Sequence, residues 1–450
     1  MSVVVTTPTS FRTALQQYQD RRLWYIFVLG CSSGFPWVLI SSAMSGWLKD
    51  ANLSRAAIGY FGSVTAVYAL NFLWAPLVDR LHLPLLTRTL GQRRSWVMSM
   101  QSLIALLTVA MAFTNPANSI IWMSLLAFLI GLFAATMDVA IDGYRIDIIG
   151  NEPLKLPAAA AMSVAGWWTG YSLPGYFAFH YADQWGWNKV YLGLALMFVV
   201  FTLATLLLRE PSSNRDLLQQ KAAERYKNSL QHPVLLWLTV TVVEPFAEFF
   251  RRNGMALSIS LIVFILIFKL GEAFLGRMSI QFYREVGFSN EQIAEYSKLI
   301  GWGATMAFTL LGSILNVRFG VIKGLILGGI TMAGSNLMFA WIAQVGPDEN
   351  LLLWTILLDN FTTAFSIVAF VAFLTSFTGV AFSASQYALL ASIANFARTS
   401  MASFGGALVD MLDGNWTLFF LITSLMVIPA LLLLGVIVRL LKQQATSPDR

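Results

Sequence analysis

The stretch Met137-Asp-Val-Ala-Ile-Asp-Gly-Tyr-Arg-Ile-Asp147 places ionisable groups directly after an apolar run, Ile120 to Thr136. On a helix Asp138, Asp142 and Arg145 fall at i, i+4 and i+7, one vertical stripe. A carboxylate near the middle of a bilayer costs roughly 2.5–3.5 kcal/mol on insertion scales, so the stripe cannot face lipid. It must face a wet cavity or partner charges. Asp138 suits a group that takes up and releases a proton, and equally one that pairs with a base on another helix; both remain open. Asp142, Arg145 and Asp147 lie near the end of the run, where Asp79, Arg80, Arg93 and Arg94 supply complementary charge. That set reads as a gate held by salt bridges, with Asp79 and Arg80 clamped to Asp142 or Arg145.

A second charged group is expected further along. Lys269 and Glu272 are three residues apart on one helical face inside another apolar run. They satisfy each other, or they serve transport, since an ionisable group inside a membrane defaults to function. Asp359 and Arg398 sit in two later runs and either pair or act separately, the guanidinium being suited to bidentate contact with a substrate carboxylate. Asp138, Glu272 and Asp359 are thus the proton-coupling candidates, and Lys269 and Arg398 the cationic substrate contacts. Trp167, Trp168, Tyr171 and Trp302 fall near mid-depth, where an aromatic ring packs between helices or stacks on the C–H face of a sugar. Asn71 and Gln386 are polar candidates at similar depth.

The elements that must position these groups follow from composition. Of the 450 residues 57% are hydrophobic and 12% charged, with mean hydropathy +0.66. A soluble domain carries about 25% charge, so this chain is built for lipid. The net charge of +6 comes from bases spread through short loops, which gives no nucleic-acid surface. One cysteine and three scattered histidines exclude an intrachain disulfide and any Cys- or His-rich metal centre; no cofactor is expected. Twelve apolar segments can be marked at 23–47, 57–78, 95–113, 119–143, 157–180, 187–208, 254–281, 291–314, 320–344, 351–378, 384–409 and 415–441. Gly34-Phe-Pro36 predicts a kink in the first. Most of the 29 Lys and Arg lie in the termini and even-numbered connections, which places both termini in the cytoplasm. The expected organisation is a segment 1–22, a six-helix bundle 23–208, a linker 209–253, a second bundle 254–441 and a tail 442–450. Within the linker, 234–250 reads as an amphipathic helix along the membrane surface.

Six plus six helices around a polar middle is the layout of the major facilitator fold, an all-α membrane protein of twelve transmembrane helices in two six-helix bundles. Pro76-Leu-Val-Asp-Arg80 followed by Gly91-Gln-Arg-Arg94 resembles that superfamily's signature between its second and third helices, with Pro76 at a position where Gly is common and a long spacer before Gly91. The matching place in the second half, Gly312-Ser-Ile-Leu-Asn-Val-Arg318, has Asn316 for the acid. Gly34-Phe-Pro36, Ile58-Gly-Tyr-Phe61, Phe72-Leu-Trp-Ala-Pro-Leu-Val-Asp-Arg80, Asp138-x-x-x-Asp142, Lys269-Leu-Gly-Glu-Ala-Phe274 and Phe382-Ser-Ala-Ser-Gln-Tyr-Ala-Leu-Leu390 resemble the AmpG-type muropeptide permeases. The resemblance spans both halves. It implies a proton-coupled importer of GlcNAc-anhydromuropeptides in a bacterial inner membrane, acting as a monomer by alternating access. The same group includes acetyl-CoA carriers and siderophore permeases, which remain alternatives. A membrane-embedded transferase would bring a metal site or a large catalytic loop, and an ATP-driven pump a Gly-x-x-x-x-Gly-Lys-Ser/Thr loop, which is absent. A transporter is therefore expected, not an enzyme.

Overall fold

The computed structural model describes residues 10–53, 61, 63–116, 119–150, 152–211, 215–227, 232–289, 292, 296 and 301–446. The motif at 58–60 and the beginning of the eighth segment lie outside them. Among the described residues all regular structure is helical. The spanning helices are α1 (Arg21–Asp50), α2 (described as Val64–Leu73 and Ala75–Arg80), α3 (Gln92–Ala112), α4 (Ile120–Ile149), α5 (Leu156–Trp185), α6 (Trp187–Leu207), α7 (Met255–Val286), α8 (described from Gly301 to Phe319), α9 (Val321–Val345), α10 (Glu349–Ser376), α11 (Val380–Met411) and α12 (Trp416–Gln444).

Among the described residues, length and apolarity alone pick out ten spans, one of which is Pro233–Asn253 in the linker. That helix begins and ends on the same side of the bundle. The linker helix before it, Arg215–Lys227, bonds Ala381 at the start of α11, and Asn253 at its far end bonds Gln444 at the end of α12. It therefore lies along the protein rather than across it. Removing it and adding α2, α5 and α8 gives twelve spanning helices among the described residues. Both described ends of the chain, α1 starting and α12 finishing, lie on that same face, here called the terminus side.

Turn chemistry sets the boundaries. Asp20 accepts the Arg22 N–H at the start of α1, Asp348 the Leu351 N–H at α10, and Asn415 the Leu418 N–H at α12. Gly186 and Gly320, with φ of +76° and +87°, make the tight turns from α5 into α6 and from α8 into α9. After Pro36 the α1 backbone widens into a π-turn over Val38–Ser42, the expected irregularity in a different form from a simple kink. In α7 the helix is interrupted at Lys269, which has φ −101° and ψ 9°.

Gly30 and Gly34 on α1 face Gly166 and Gly170 on α5, the small-xxx-small pattern on both partners. A Cβ on Gly170 would stand 1.9 Å from the Cys31 carbonyl oxygen, and one on Gly34 would stand 2.0 Å from that of Trp167. Both clashes are with backbone, so the helices must separate. Gly170→Ala is expected to cost about 2–3 kcal/mol, the upper part of the range for overpacking, because the clash is with backbone. Thermal unfolding in detergent should show it as a lowered midpoint. Gly175→Ala, whose Cβ meets nothing nearer than Val38 Cγ2 at 3.9 Å, is the matched control and should be neutral.

Candidate functional site

On the terminus side a buried charge network crosses between the halves. The Arg93 guanidinium is fully buried at the start of α3 and donates to Asp79 of α2 at 2.7 Å and to Asp147 of α4 at 2.8 Å. Its Nη2 also reaches the Ser383 hydroxyl of α11 at 2.9 Å, and that hydroxyl donates to Asp147 at 2.6 Å. The other Asp79 oxygen accepts the Ser385 N–H at 2.8 Å and the Ser385 hydroxyl. An acid of the first half thus caps the first turn of a helix of the second, where orphan N–H groups and the helix dipole favour negative charge. Arg145 adds a bond to Thr375 of α10 at 2.9 Å and stacks over the Tyr387 ring at 4.7 Å. Asn71 accepts from Ser392 at 2.9 Å, further into the bundle.

The linker closes over this network from below. Arg215 approaches Asp147 at 3.4 Å, and Gln219 donates to the carbonyls of Asp79 (3.4 Å) and Ala381 (2.8 Å). Glu210 accepts the backbone N–H groups of Arg93 and Arg94, capping α3; its burial pushes the carboxyl above the usual range while those bonds pull it down.

The gate expected from sequence has different partners in the structure. Asp79 is joined through Arg93 to Asp147, not to Asp142 or Arg145. Asp142 forms a local pair with Arg145 at 3.0 Å. The half-buried Arg80 has a buried Nη1 with no hydrogen-bond partner among the described residues. Arg94 donates to the Thr205 and Leu206 carbonyls at the end of α6. The contact between the halves on this side therefore rests on Asp79, Arg93, Asp147, Ser383 and Ser385.

Two clusters lie deeper, one in each half. In the first, Asp138 on α4 has Ser33 of α1 beside it and lies within electrostatic range of Tyr68 on α2. Trp37, at the entry to the irregular turn after Pro36, packs on Tyr68 at 4.9 Å and meets Trp167 at 6.0 Å. Trp167 stacks on Tyr171 at 5.6 Å and meets Trp168 edge-on at 5.1 Å. The glycine contact between α1 and α5 is what brings Trp37 and Trp167 together. In the second half, Lys269 at the α7 interruption donates to Glu272 at 2.5 Å and to Ser366 of α10 at 2.7 Å. Asp359 accepts from Ser335 at 3.1 Å, and its charge and that of Arg398 both act on Lys269. Arg398 is exposed and, among the described residues, forms no ion pair, so it does not join Asp359.

Two candidates stand apart. Trp302 is 41% exposed on α8 with no ring partner among the described aromatics. Gln386 is fully buried in the first turns of α11, its amide spent on Gly379 N–H, Arg252, the Pro245 carbonyl and Glu248. It ties the linker helix to the α10–α11 turn. Sequence reading missed Trp37, Tyr68, Ser366, Ser383 and Ser385 as site members. Ser383-Ala-Ser385 at a helix start and Trp37 after Gly34-Phe-Pro36 were the available signals.

Residues 26–294 match the family model of the Major Facilitator Superfamily. The chain belongs to the major facilitator superfamily. This superfamily member is 33% identical over 419 residues to the "Putative transporter AmpG 4" of Rickettsia conorii, covering 93% of this chain and 96% of that one. It is 31% identical to the "Anhydromuropeptide permease" of Escherichia coli K12, covering 93% and 80%. The proton:xylose symporter XylE superposes on it with a TM-score of 0.63 at 15% identity over 92% of this chain and 94% of that one, which shows the shared fold. The protein is accordingly an AmpG-type secondary transporter and not an enzyme, as expected from sequence.

Proposed function

We propose that this transporter imports anhydromuropeptides from periplasm to cytoplasm across a bacterial inner membrane, driven by the proton gradient. The observation that carries the reading is the two-sided character of the deep clusters. One half offers stacked aromatic rings and a buried carboxylate, and the other offers Lys269 and Arg398, which forms no ion pair among the described residues. An anhydromuropeptide has the matching two ends, N-acetylated sugar rings and a peptide with free carboxylates. The name borne by the Escherichia coli relative supports the same cargo. Base-rich termini and even-numbered connections support a cytoplasmic terminus side. On that orientation the Asp79–Arg93–Asp147 network seals the cytoplasmic face, the arrangement of an outward-facing transporter.

Asp138, Glu272 and Asp359 are the groups assigned to the proton, because each is a carboxylate held at depth with few partners. The test is uptake of radiolabelled anhydromuropeptide by proteoliposomes under an imposed proton gradient, with acetyl-CoA and a siderophore as competitors. Accumulation that collapses with the gradient and resists both competitors is expected; competition by either would transfer the reading to that solute. Glu272→Gln should abolish accumulation while leaving counter-flow exchange largely intact. Full accumulation by that variant would remove Glu272 from coupling.

A further inference from the structure

Tyr68 and Asp138 stand on neighbouring helices with a specific deficit. The Tyr68 hydroxyl and the Asp138 Oδ1 are both buried, and among the described residues neither has a hydrogen-bond partner. Tyr68 is 7% exposed, and its hydroxyl lies within range of the Asp138 charge. Buried polar atoms are nearly always paired, and leaving one unpaired costs a desolvation penalty that a protein does not usually carry. Two orphans within electrostatic range of each other on neighbouring helices mark a place where a ligand completes the bonding.

The chemistry of the pair narrows the ligand. A carboxylate oxygen only accepts, and a phenol readily donates. The complement is a group with one donor and one acceptor held rigidly side by side. A secondary amide meets that description, its N–H directed to Asp138 and its carbonyl to Tyr68. Beside the pair stands Trp37, packed on the Tyr68 ring at 4.9 Å, with Trp167 meeting Trp37 at 6.0 Å. Such walls favour a methyl group and the C–H face of a ring over a charged or heavily hydrated neighbour.

We propose that Tyr68 and Asp138 form a two-point clamp for the acetamido group of an N-acetylated pyranose, seated against Trp37 and Trp167. The proposal rests on the reading that the cargo is an anhydromuropeptide, and it gives that cargo a register: sugar at the α1–α2–α4–α5 wall, peptide toward Lys269 and Arg398. Tyr68 becomes a specificity residue that the motif pattern did not single out. Asp138 does double duty, since a ligand amide on Oδ1 leaves the second oxygen beside Ser33 for the proton.

The test uses full-length protein in lipid nanodiscs and calorimetric titration with the peptide-free GlcNAc-anhydro-N-acetylmuramic acid disaccharide. Two analogues are compared, each with one acetamido group replaced by hydroxyl. Wild type should prefer the parent over one analogue. Tyr68→Phe keeps the ring on Trp37 and removes only the hydroxyl. It should weaken parent binding about three- to tenfold, the value of one hydrogen bond, and leave that analogue nearly unchanged, so the preference collapses. Equal losses for all three ligands, or no loss at all, would overturn the clamp and leave Tyr68 as packing or as a partner of water. Wild type binding none of the three would instead remove the cargo reading, and the clamp with it.

Discussion

Asp79→Asn is expected to open the terminus side. The native carboxylate has one oxygen on Arg93 and the other on the N–H and hydroxyl of Ser385 across the interface. Both Asp79 and Arg93 are almost wholly buried, so water cannot replace the lost charge. Breaking such a pair from one side typically costs 3–5 kcal/mol, because the surviving charge is stranded. Asparagine keeps one acceptor and Arg93 keeps Asp147, so about 2–3 kcal/mol is expected here. The network forms only when the terminus side is closed, so that loss falls on the closed state. The ratio of closed to open should fall by roughly 30- to 150-fold. The readout is thiol labelling of Ser392→Cys, a position 3% exposed at the inter-half contact with Asn71. Labelling should accelerate in the Asp79→Asn background while the native Cys31, buried against α5, stays silent. Labelling of both thiols would signal unfolding rather than gating. An unchanged rate at Ser392→Cys would show that the linker contacts of Gln219 hold the seal without Asp79.

Charge reading at the second cluster should give the next largest effect. Lys269 and Glu272 are bonded to each other, so removing the lysine has two possible consequences. A cation facing a peptide carboxylate is worth about 1.5–3 kcal/mol, roughly ten- to a hundredfold in affinity. As a substrate contact, Lys269→Met should weaken the acidic peptide forms by that factor and spare the peptide-free disaccharide. As a neutraliser of Glu272, it should impair every ligand alike, and Lys269→Met with Glu272→Gln should recover binding. Arg398 separates the two cleanly, because it is exposed and has no carboxylate partner among the described residues. Arg398→Gln should therefore produce the peptide-selective loss without any need for a second change. Titration of both ligand forms into the three variants decides the matter. Equal losses with recovery in the double variant would assign Lys269 to the internal pair and leave Arg398 as the carboxylate contact.

Much of this architecture follows from local pattern. Apolar runs of membrane length, punctuated by basic loops, dictate spanning helices, because a backbone in lipid must satisfy its own hydrogen bonds. Helical periodicity alone aligns Asp138, Asp142 and Arg145 and puts Glu272 within reach of Lys269, and the observed Lys269–Glu272 and Asp142–Arg145 pairs are both of this local kind. Apolarity is less decisive where it is diluted: α5, with its small residues, is less apolar than the other spans, and Pro233–Asn253 is as apolar as a span while lying along the surface.

The long-range partners were settled by packing. Asp79 meets Ser385 across 306 residues, and Arg93 meets Ser383 across 290, which no spacing rule encodes. Asp147, not Asp142, receives Arg93, since the winning acid is the one that the α3 and α4 crossing brings within bonding distance. Gln386 read as a mid-depth polar residue, but the end of α11 on which it lies is tucked against the linker, and its amide is consumed there. Tyr68 read as one aromatic among many. It becomes part of a site because Gly30, Gly34, Gly166 and Gly170 let α1 and α5 approach to backbone contact, drawing Trp37 and Trp167 together beside it. A sequence specifies which faces are sticky and which ends are charged. Which of several equivalent partners each face meets depends on differences of about an ångström or two in how closely the helices pack, and those exist only once the whole bundle has closed.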